Sequence, residues 1–284
     1  MRVITILTLA CLCGQIDETL FEPSPRNGIV VEVRLNGRGP FKLLLDTGST
    51  HSAISADLAN ALGAIPVGRT VVTSPIGDSV RTIVRLNRFE IGPTVTGNVL
   101  ASVIPAEAAG RMRGFQGLIG QDVLATRRYT IDFRGRRLIW NEQRAAAAGQ
   151  ALPLELDGGR VLVRLAQRAM VLRLVPDSAA EGVVLFRHRD LPLPAWSAGG
   201  AEVEVATLLE RRSVQRVTLR ELRVGTSILL RLPAIVVAGE NNGRAEPDDS
   251  PLCDGLLPLH LFERVTFDGP RRLMFVERPR IPVG

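Results

Sequence analysis

The sequence predicts an all-β protein with short helices, built from two tandem lobes of similar structure. Short apolar runs, many of them alternating, are separated by glycine- and proline-rich turns along most of the chain. An apolar strand that ends on an aspartate occurs twice, at Asp46 and Asp177, which are 177 − 46 = 131 residues apart. A short apolar segment containing glycine and then a closing hairpin follow each of them. A repeat of this length indicates a duplicated unit.

The composition is that of a globular protein and does not favour nucleic acid as a partner. The chain has 284 residues, of which 45% are hydrophobic, and this is enough for one large core or two ordinary ones. Its net charge is +6, but the basic residues are scattered and Lys42 is the only lysine. Aromatic residues, at 4%, are too sparse for a stacking surface on single-stranded nucleic acid.

The N-terminus reads as a targeting segment over residues 1–14. Arg2 precedes the apolar residues 3–13, a run too short to cross a bilayer as a helix. We expect an exported protein, periplasmic or secreted, and Cys11 leaves a lipid anchor open. The alternative is a first β-strand of the fold. Only Cys253 lies outside this segment, so a processed chain has no internal disulfide.

The first lobe is predicted over residues 27–141. Ile29–Leu35 and residues 41–45 alternate around an Asn-Gly turn, which is a strong hairpin signal. Residues 56–62 have helical spacing and end at Gly63, which tolerates the left-handed helix terminus. The remaining predicted strands are residues 67–72, 79–86, 88–91 and 95–104, and a closing hairpin of 129–133 with 137–140.

A break in composition predicts a linker over residues 142–152, and the second lobe is predicted over residues 153–280. Its first strands are residues 161–165 and 171–175, the second of which leads to Asp177. A strand at residues 182–186 follows, and the chain closes with a hairpin after the apolar segment at residues 255–262.

The two aspartates suggest acid–base chemistry. Asp46 follows the apolar residues 43–45, and a carboxylate at the end of a buried strand is costly unless it is hydrogen-bonded or used. The repeat offers Asp177 as its partner. Two carboxylates face to face share a proton, so one activates a water while the other protonates a carbonyl oxygen, which hydrolyses a peptide bond. The alternative without catalysis is that Asp177, after Pro176, is only a turn residue.

Two motifs resemble those of the aspartic peptidases of the retropepsin-like and pepsin-like type. Asp-Thr-Gly-Ser at residues 46–49 precedes an Ala-Ile strand, and Leu-Ile-Gly follows at residues 118–120. The resemblance implies a bilobal pepsin-like architecture made from two retropepsin-like β-barrel lobes, with a peptide or unfolded protein as substrate and no cofactor or metal. Thr47 and Ser178 are then expected to cross-link the lobes.

The resemblance implies four groups of site residues. They are the catalytic pair Asp46 and Asp177; the turn-supporting residues Thr47, Gly48, Ser49, Ser178 and Ala179; the backing segment Leu118, Ile119 and Gly120; and a substrate-covering flap of Thr73, Ser74, Pro75, Ile76, Gly77 and Asp78. The three histidines show no spacing of metal ligands, and motifs of serine hydrolases, zinc peptidases and phosphate-binding loops are absent from the sequence.

The second lobe departs from the family pattern. Ala179 replaces Gly48, Ala180 replaces Ser49 and its hydroxyl, and Pro258 replaces a glycine. Three hypotheses therefore stand: a single-chain aspartic endopeptidase acting as a monomer, a pseudo-protease that binds peptides, and an enzyme active only as a homodimer of first lobes. In the first case we expect Asp46 to be the more acidic carboxyl of the pair.

Overall fold

The computed structural model describes residues 17–24, 28–74, 77–109, 111–112, 114–142, 149–168, 170–187, 202–206, 211–238 and 253–280. The predicted targeting segment and the flap residues Pro75 and Ile76 lie outside these ranges. Strands dominate, so the all-β prediction with short helices is confirmed. No helix in the described ranges is long and apolar enough to span a bilayer.

Strands β1 to β10 and three helices make up the first half of the described chain. They are β1 (Glu18–Pro23), β2 (Ile29–Leu35), β3 (Arg38–Leu45), β4 (Ala53–Ser55), α1 (Ala56–Leu62), β5 (Pro66–Ser74), β6 (Gly77–Ile91), β7 (Thr94–Ile104), α2 (Ala106–Ala109), β8 (Gly117–Ile119), α3 (Gln121–Leu124), β9 (Arg128–Asp132) and β10 (Arg137–Trp140).

Strands β11 to β20 and one 3-10 helix make up the second half. They are β11 (Gln150–Asp157), β12 (Arg160–Gln167), β13 (Met170–Asp177), β14 (Val183–Arg187), β15 (Glu202–Ala206), β16 (Arg211–Val224), β17 (Ser227–Ala238), β18 (Gly255–Pro258), the 3-10 helix Leu259–Leu261, β19 (Phe262–Asp268) and β20 (Leu273–Pro279).

The two lobes share one pattern of strand pairing. In the first lobe β8 pairs in parallel with β3 and antiparallel with β4, and β4 in turn pairs in parallel with β7. In the second lobe β18 pairs in parallel with β13 and antiparallel with β14, which pairs in parallel with β17. The duplication inferred from the sequence is therefore also a duplication of topology.

Local signals place the first helix as the sequence predicts. The Ser55 hydroxyl accepts a hydrogen bond from the Leu58 amide and caps the start of α1. Gly63 ends the helix with φ = 63°, a left-handed conformation that glycine adopts without steric cost. The side chains of Leu43 and Leu45 are fully buried. They therefore fix which face of β3 is turned toward the core.

A six-stranded antiparallel sheet joins the lobes in the order β1–β10–β9–β19–β20–β11. At its centre β9 pairs with β19, where Thr130 lies opposite Thr266 and their hydroxyl oxygens are 2.7 Å apart. This sheet was not predicted. Each closing hairpin exposes a strand edge with unpaired backbone groups, and the edge of the other lobe satisfies them.

The joining sheet alters two predicted boundaries. Strand β1 precedes residue 27, where we placed the start of the first lobe, and it pairs with β10 at the far end of that lobe. Strand β11 begins at Gln150, inside the predicted linker, and pairs with β20. Both segments lack strong turn signals, and only the partner strands fix them as part of the sheet.

Candidate active site

The two aspartate turns meet where strands β3 and β13 end. The Asp46 amide donates to the Ile119 carbonyl, 3.0 Å away, and Asp177 lies opposite Pro258 in the equivalent parallel pair. A Cβ placed on Gly48 would lie 2.7 Å from Cγ and 2.8 Å from Oδ2 of Asp177. The glycine backbone of one lobe therefore touches the carboxylate of the other, and the two aspartates face each other.

Thr47 and Ser178 link the lobes through four reciprocal hydrogen bonds. The Thr47 hydroxyl donates to the Pro176 carbonyl at 2.8 Å and accepts from the Ser178 amide at 3.0 Å. The Ser178 hydroxyl donates to the Leu45 carbonyl at 2.6 Å and accepts from the Thr47 amide at 3.1 Å. Each hydroxyl acts as donor and acceptor, so the arrangement has pseudo-twofold symmetry and fixes both turns at once.

Each carboxylate is held by backbone amides of its own turn. Oδ1 of Asp46 accepts from the amides of Gly48 at 3.0 Å and Ser49 at 3.1 Å. Oδ1 of Asp177 accepts from the amides of Ala179 at 2.7 Å and Ala180 at 3.1 Å. Because these donors are backbone groups, the alanines of the second lobe supply them as well as glycine and serine do.

The hydroxyl missing from the second lobe does not support the carboxylate in the first. Ser49 donates its hydroxyl to the His51 carbonyl at 2.8 Å, not to Asp46. In the second lobe Ala180 stands where the first lobe has Ser49. This contact within the turn is therefore missing there, but both backbone amides that donate to Asp177 are present. Ser49 thus supports the turn through its backbone amide, and its hydroxyl contributes no bond to the carboxylate.

Both carboxyls ionise with difficulty. Burial, with the nearby charge of Asp177 as a second cause, raises the pKa of Asp46 to about 8. Burial raises the pKa of Asp177 to about 6, against the opposing effect of its two amide donors. The two carboxyls titrate as a pair, so which of them is the more acidic stays a prediction.

The backing segment supports the first turn closely. A Cβ on Gly120 would lie 2.5 Å from the backbone carbonyl carbon of His51, so only glycine fits there. The Gly120 amide donates to the Ser52 hydroxyl at 3.1 Å. Leu118 and Ile119 form the strand β8 that lies beside β3, with Leu44 opposite Leu118 and Leu45 opposite Ile119.

Pro258 takes the place of Gly120 without leaving a polar group unpaired. Proline has no amide hydrogen to donate. The acceptor is absent too, because the repeat offset of 131 places Val183 in the second lobe where the first has Ser52. Replacing both partners of a buried hydrogen bond with apolar groups is close to neutral, whereas replacing one is costly. The two substitutions, Pro258 for Gly120 and Val183 for Ser52, therefore compensate each other.

Two supporting residues, Ser52 and Gln121, were not predicted from the sequence. Ser52 donates its amide to Asp122 at 3.0 Å and its hydroxyl at 2.8 Å, and burial raises the pKa of that carboxyl. The Gln121 side chain donates to the Thr47 carbonyl at 2.6 Å. No sequence signal pairs Ser52 with a residue 70 positions away.

The predicted flap is the tip of the β5–β6 hairpin. Thr73 lies opposite Asp78, and Ser74 lies opposite Gly77, while Pro75 and Ile76 are outside the described residues. Across the described ranges, no cluster of three or more histidine, cysteine or acidic side chains has metal-binding geometry.

Comparison with known proteins agrees with this geometry. Residues 31–123 match the family model described as aspartyl protease, so the resemblance of the first lobe is confirmed. The crystal structure of basic 7S globulin from soybean is similar, with a TM-score of 0.51 and 11% sequence identity, over 92% of this chain and 96% of that chain. At this identity the likeness shows the fold, which is pepsin-like and bilobal. No curated protein matches the chain.

Proposed function

We propose that the chain is an aspartic endopeptidase in which Asp46 and Asp177 hydrolyse peptide bonds as a pair. The observation that carries the proposal is the reciprocal bonding of Thr47 and Ser178, which brings the two carboxyls of one chain together in matching environments. A structural turn residue at Asp177 would not require this arrangement. The aspartyl protease match of the first lobe supports the same reaction class.

The pair works with one proton between its two carboxyls. The ionised carboxylate removes a proton from a water molecule, whose oxygen attacks the carbonyl carbon of the peptide bond. The protonated carboxyl gives its proton to the carbonyl oxygen, and a tetrahedral diol forms. A carboxyl then protonates the amide nitrogen. As the carbon–nitrogen bond breaks, a hydroxyl group of the diol gives its proton to the pair, which returns to its singly protonated state while the acid and amine products leave. No covalent intermediate and no cofactor take part.

The raised pKa values favour this state. Because the pKa of Asp46 is raised to about 8 and that of Asp177 to about 6, one carboxyl remains protonated around pH 6 to 7. Their Oδ1 atoms are fixed by amides, and within the described residues no backbone or side-chain donor reaches either Oδ2. Those atoms are thus available to water and to the substrate carbonyl.

The proposed substrate is an extended peptide or an unfolded protein, bound between the lobes by strand-like contacts under the β5–β6 hairpin. We further propose that the enzyme acts as an exported monomer. Support for the monomer is that Thr47 already has its partner, Ser178, in the same chain, which a homodimer of first lobes would have to replace.

A pseudo-protease that binds peptides is the second candidate. It is favoured by one observation: the lobes are unequal at the contact between them, because Ala179 carries a methyl where Gly48 allows none. Displacement of either carboxyl by 1 Å is enough to lower the rate about a hundredfold.

Hydrolysis of an unfolded protein by purified protein between pH 3 and pH 8 tests the proposal. Wild type is compared with Asp46→Asn, Asp177→Asn and the control Asp57→Asn, which changes an exposed carboxyl at the start of α1. We expect both dyad variants to lose activity and the control to keep it. Wild-type activity in Asp177→Asn would reject the pair. If that variant is active and elutes as a dimer, the first-lobe homodimer is correct. Peptide binding without cleavage by wild type identifies the pseudo-protease.

A further inference from the structure

Arg81, on the flap hairpin, is a buried cation without a carboxylate partner among the described residues. Its side chain belongs to β6, and only 8% of the residue is exposed. Its Nε donates to the Ser79 hydroxyl at 3.0 Å, and one terminal nitrogen lies 3.5 Å from the Val103 carbonyl. Both acceptors are neutral. Arginine is seldom buried to this degree unless an anion accompanies it.

A second, equally buried arginine among the described residues has the carboxylate partner that a buried guanidinium usually needs. Arg128, also 8% exposed, forms an ion pair with Asp268 across the sheet that joins the lobes. Arg81 has no such contact, and burial alone lowers the pKa of its guanidinium, which remains charged throughout the physiological range. An anion that arrives with a ligand would complete the environment of Arg81.

The position of Arg81 indicates which ligand this is. Pairing of β6 with β7 ends at Ile83 and Ser102, so Arg81 lies where the hairpin leaves the body of the lobe. On one face of the hairpin the cross-strand pair Val71 and Val80 is 59% and 58% exposed. Arg81 is adjacent in sequence to Val80, so its side chain points to the opposite face, where it contacts the Val103 carbonyl of the lobe body.

Neighbouring residues connect the surroundings of Arg81 to the strand that backs the first catalytic turn. Val103, which Arg81 contacts, precedes Ile104, a member of a small apolar cluster that also includes Met112 and packs against Leu118. Leu118 is in turn followed by Ile119, whose carbonyl accepts the Asp46 amide. In the proposed binding mode, a peptide that crosses the aspartates under this hairpin runs along this side of the first lobe.

We propose that Arg81 is a specificity-determining residue that binds an acidic side chain of the peptide substrate close to the bond that is cleaved. This inference rests on the proposed peptidase function. A guanidinium presents a planar array of donors that matches a carboxylate, and a charge-assisted pair discriminates against a neutral side chain. The enzyme therefore prefers substrates with glutamate or aspartate at one position near the cleaved bond.

Matched peptides with blocked ends test the proposal. In a peptide that wild type cleaves, each position within four residues of the cleaved bond is made Glu or Gln in turn, and kcat/KM is measured for both. At one position we expect wild type to prefer Glu by about tenfold or more. The preference declines below pH 4, because the glutamate, with an ordinary pKa of about 4.3, becomes neutral.

Variants of Arg81 identify the residue responsible. Arg81→Gln is expected to bring the Glu-to-Gln ratio to about one, and Arg81→Glu to favour Lys over Glu at the same position. Arg85→Gln is the control, since this residue is exposed on the same strand, and it should leave the ratio unchanged. Thermal unfolding of each variant distinguishes a loss of recognition from a loss of the fold. Arg81→Lys keeps the charge and should retain part of the preference for Glu.

The outcomes separate this inference from the proposed function. If wild type cleaves Gln peptides but shows no acidic preference, or if Arg81→Gln keeps the preference, the role of Arg81 is refuted and the peptidase stands. If no peptide is cleaved, the peptidase is refuted. In that case the role of Arg81 is decided by binding. The ratio of the affinities for fluorescent Glu and Gln peptides is compared between wild type and Arg81→Gln, and the same loss of preference is expected.

Discussion

Removing the Thr47 hydroxyl should weaken the whole molecule, because two buried backbone groups depend on it. Thr47 is fully buried, and its hydroxyl serves the Pro176 carbonyl at 2.8 Å and the Ser178 amide at 3.0 Å. Thr47→Val keeps the size and branching of the side chain but replaces the hydroxyl with a methyl group. Both backbone groups then lose their partner at a place that water does not reach.

The magnitude follows from the cost of an unsatisfied buried polar group, about 1 to 3 kcal/mol each. Two such groups predict a loss of about 2 to 6 kcal/mol in the free energy of unfolding. Because the same bonds fix the aspartate turns, we also expect kcat to fall by about a hundredfold, as for a displacement of about 1 Å. Ser178→Ala, which removes the mirror-image hydroxyl, should have a similar effect.

Urea unfolding measures the loss, with coincident transitions by fluorescence and circular dichroism as the condition for a single free energy. Thr70→Val, at an exposed strand position, is the matched control and should change stability by less than about 0.5 kcal/mol. The double variant Thr47→Val with Ser178→Ala should cost less than the sum of the single changes, since both disrupt one interface. A loss below about 1 kcal/mol together with normal kcat would refute the reasoning.

Three further predictions follow from the site. Gly48→Ala should abolish hydrolysis, because its Cβ would lie 2.7 Å from Cγ of Asp177. Ala179→Gly removes a methyl group and creates no such clash, so it should keep activity; an equal loss of activity in both variants would contradict the inequality of the lobes. The stability that the aspartate pair contributes should be full below the unfolded pKa of 3.8 and be lost as pH rises through the raised folded values of about 6 and about 8. Each Asp→Asn change should flatten this dependence in thermal unfolding scans, and stability that rises over this range would show the opposite sign. Ser52→Ala should cost about 1 to 3 kcal/mol in the urea assay, since its hydroxyl bonds two partners in the backing region, and a neutral result would show that those partners find water instead.

The sequence was informative wherever a feature depends on neighbours along the chain. The hairpin of β2 and β3, the helix α1 with its Ser55 cap, and the turn after Asp46 each follow from a few consecutive residues. The second aspartate was found because duplication copies the local pattern, which placed Asp177 at the offset of 131 residues without any knowledge of contacts. Periodicity and turn chemistry are short-range properties, and these are the elements they describe.

Tertiary structure alone decided how the two copies fit together. The pairing of Thr130 with Thr266 in the joining sheet and the membership of β1 and β11 depend on which edges meet. The harmless exchange of Ser52 and Gly120 for Val183 and Pro258 becomes visible only when residues distant in sequence are seen as partners.

The same is true of the electrostatics. Nothing in the turn sequences predicts that burial raises the pKa of both carboxyls, or that Arg81 lies buried with no acid beside it among the described residues. Burial, register and the approach of opposite lobes are relations between residues far apart in the chain. The sequence by itself therefore determined the repeated strand–aspartate turn, and the packing of one copy against the other determined its protonation and its surroundings.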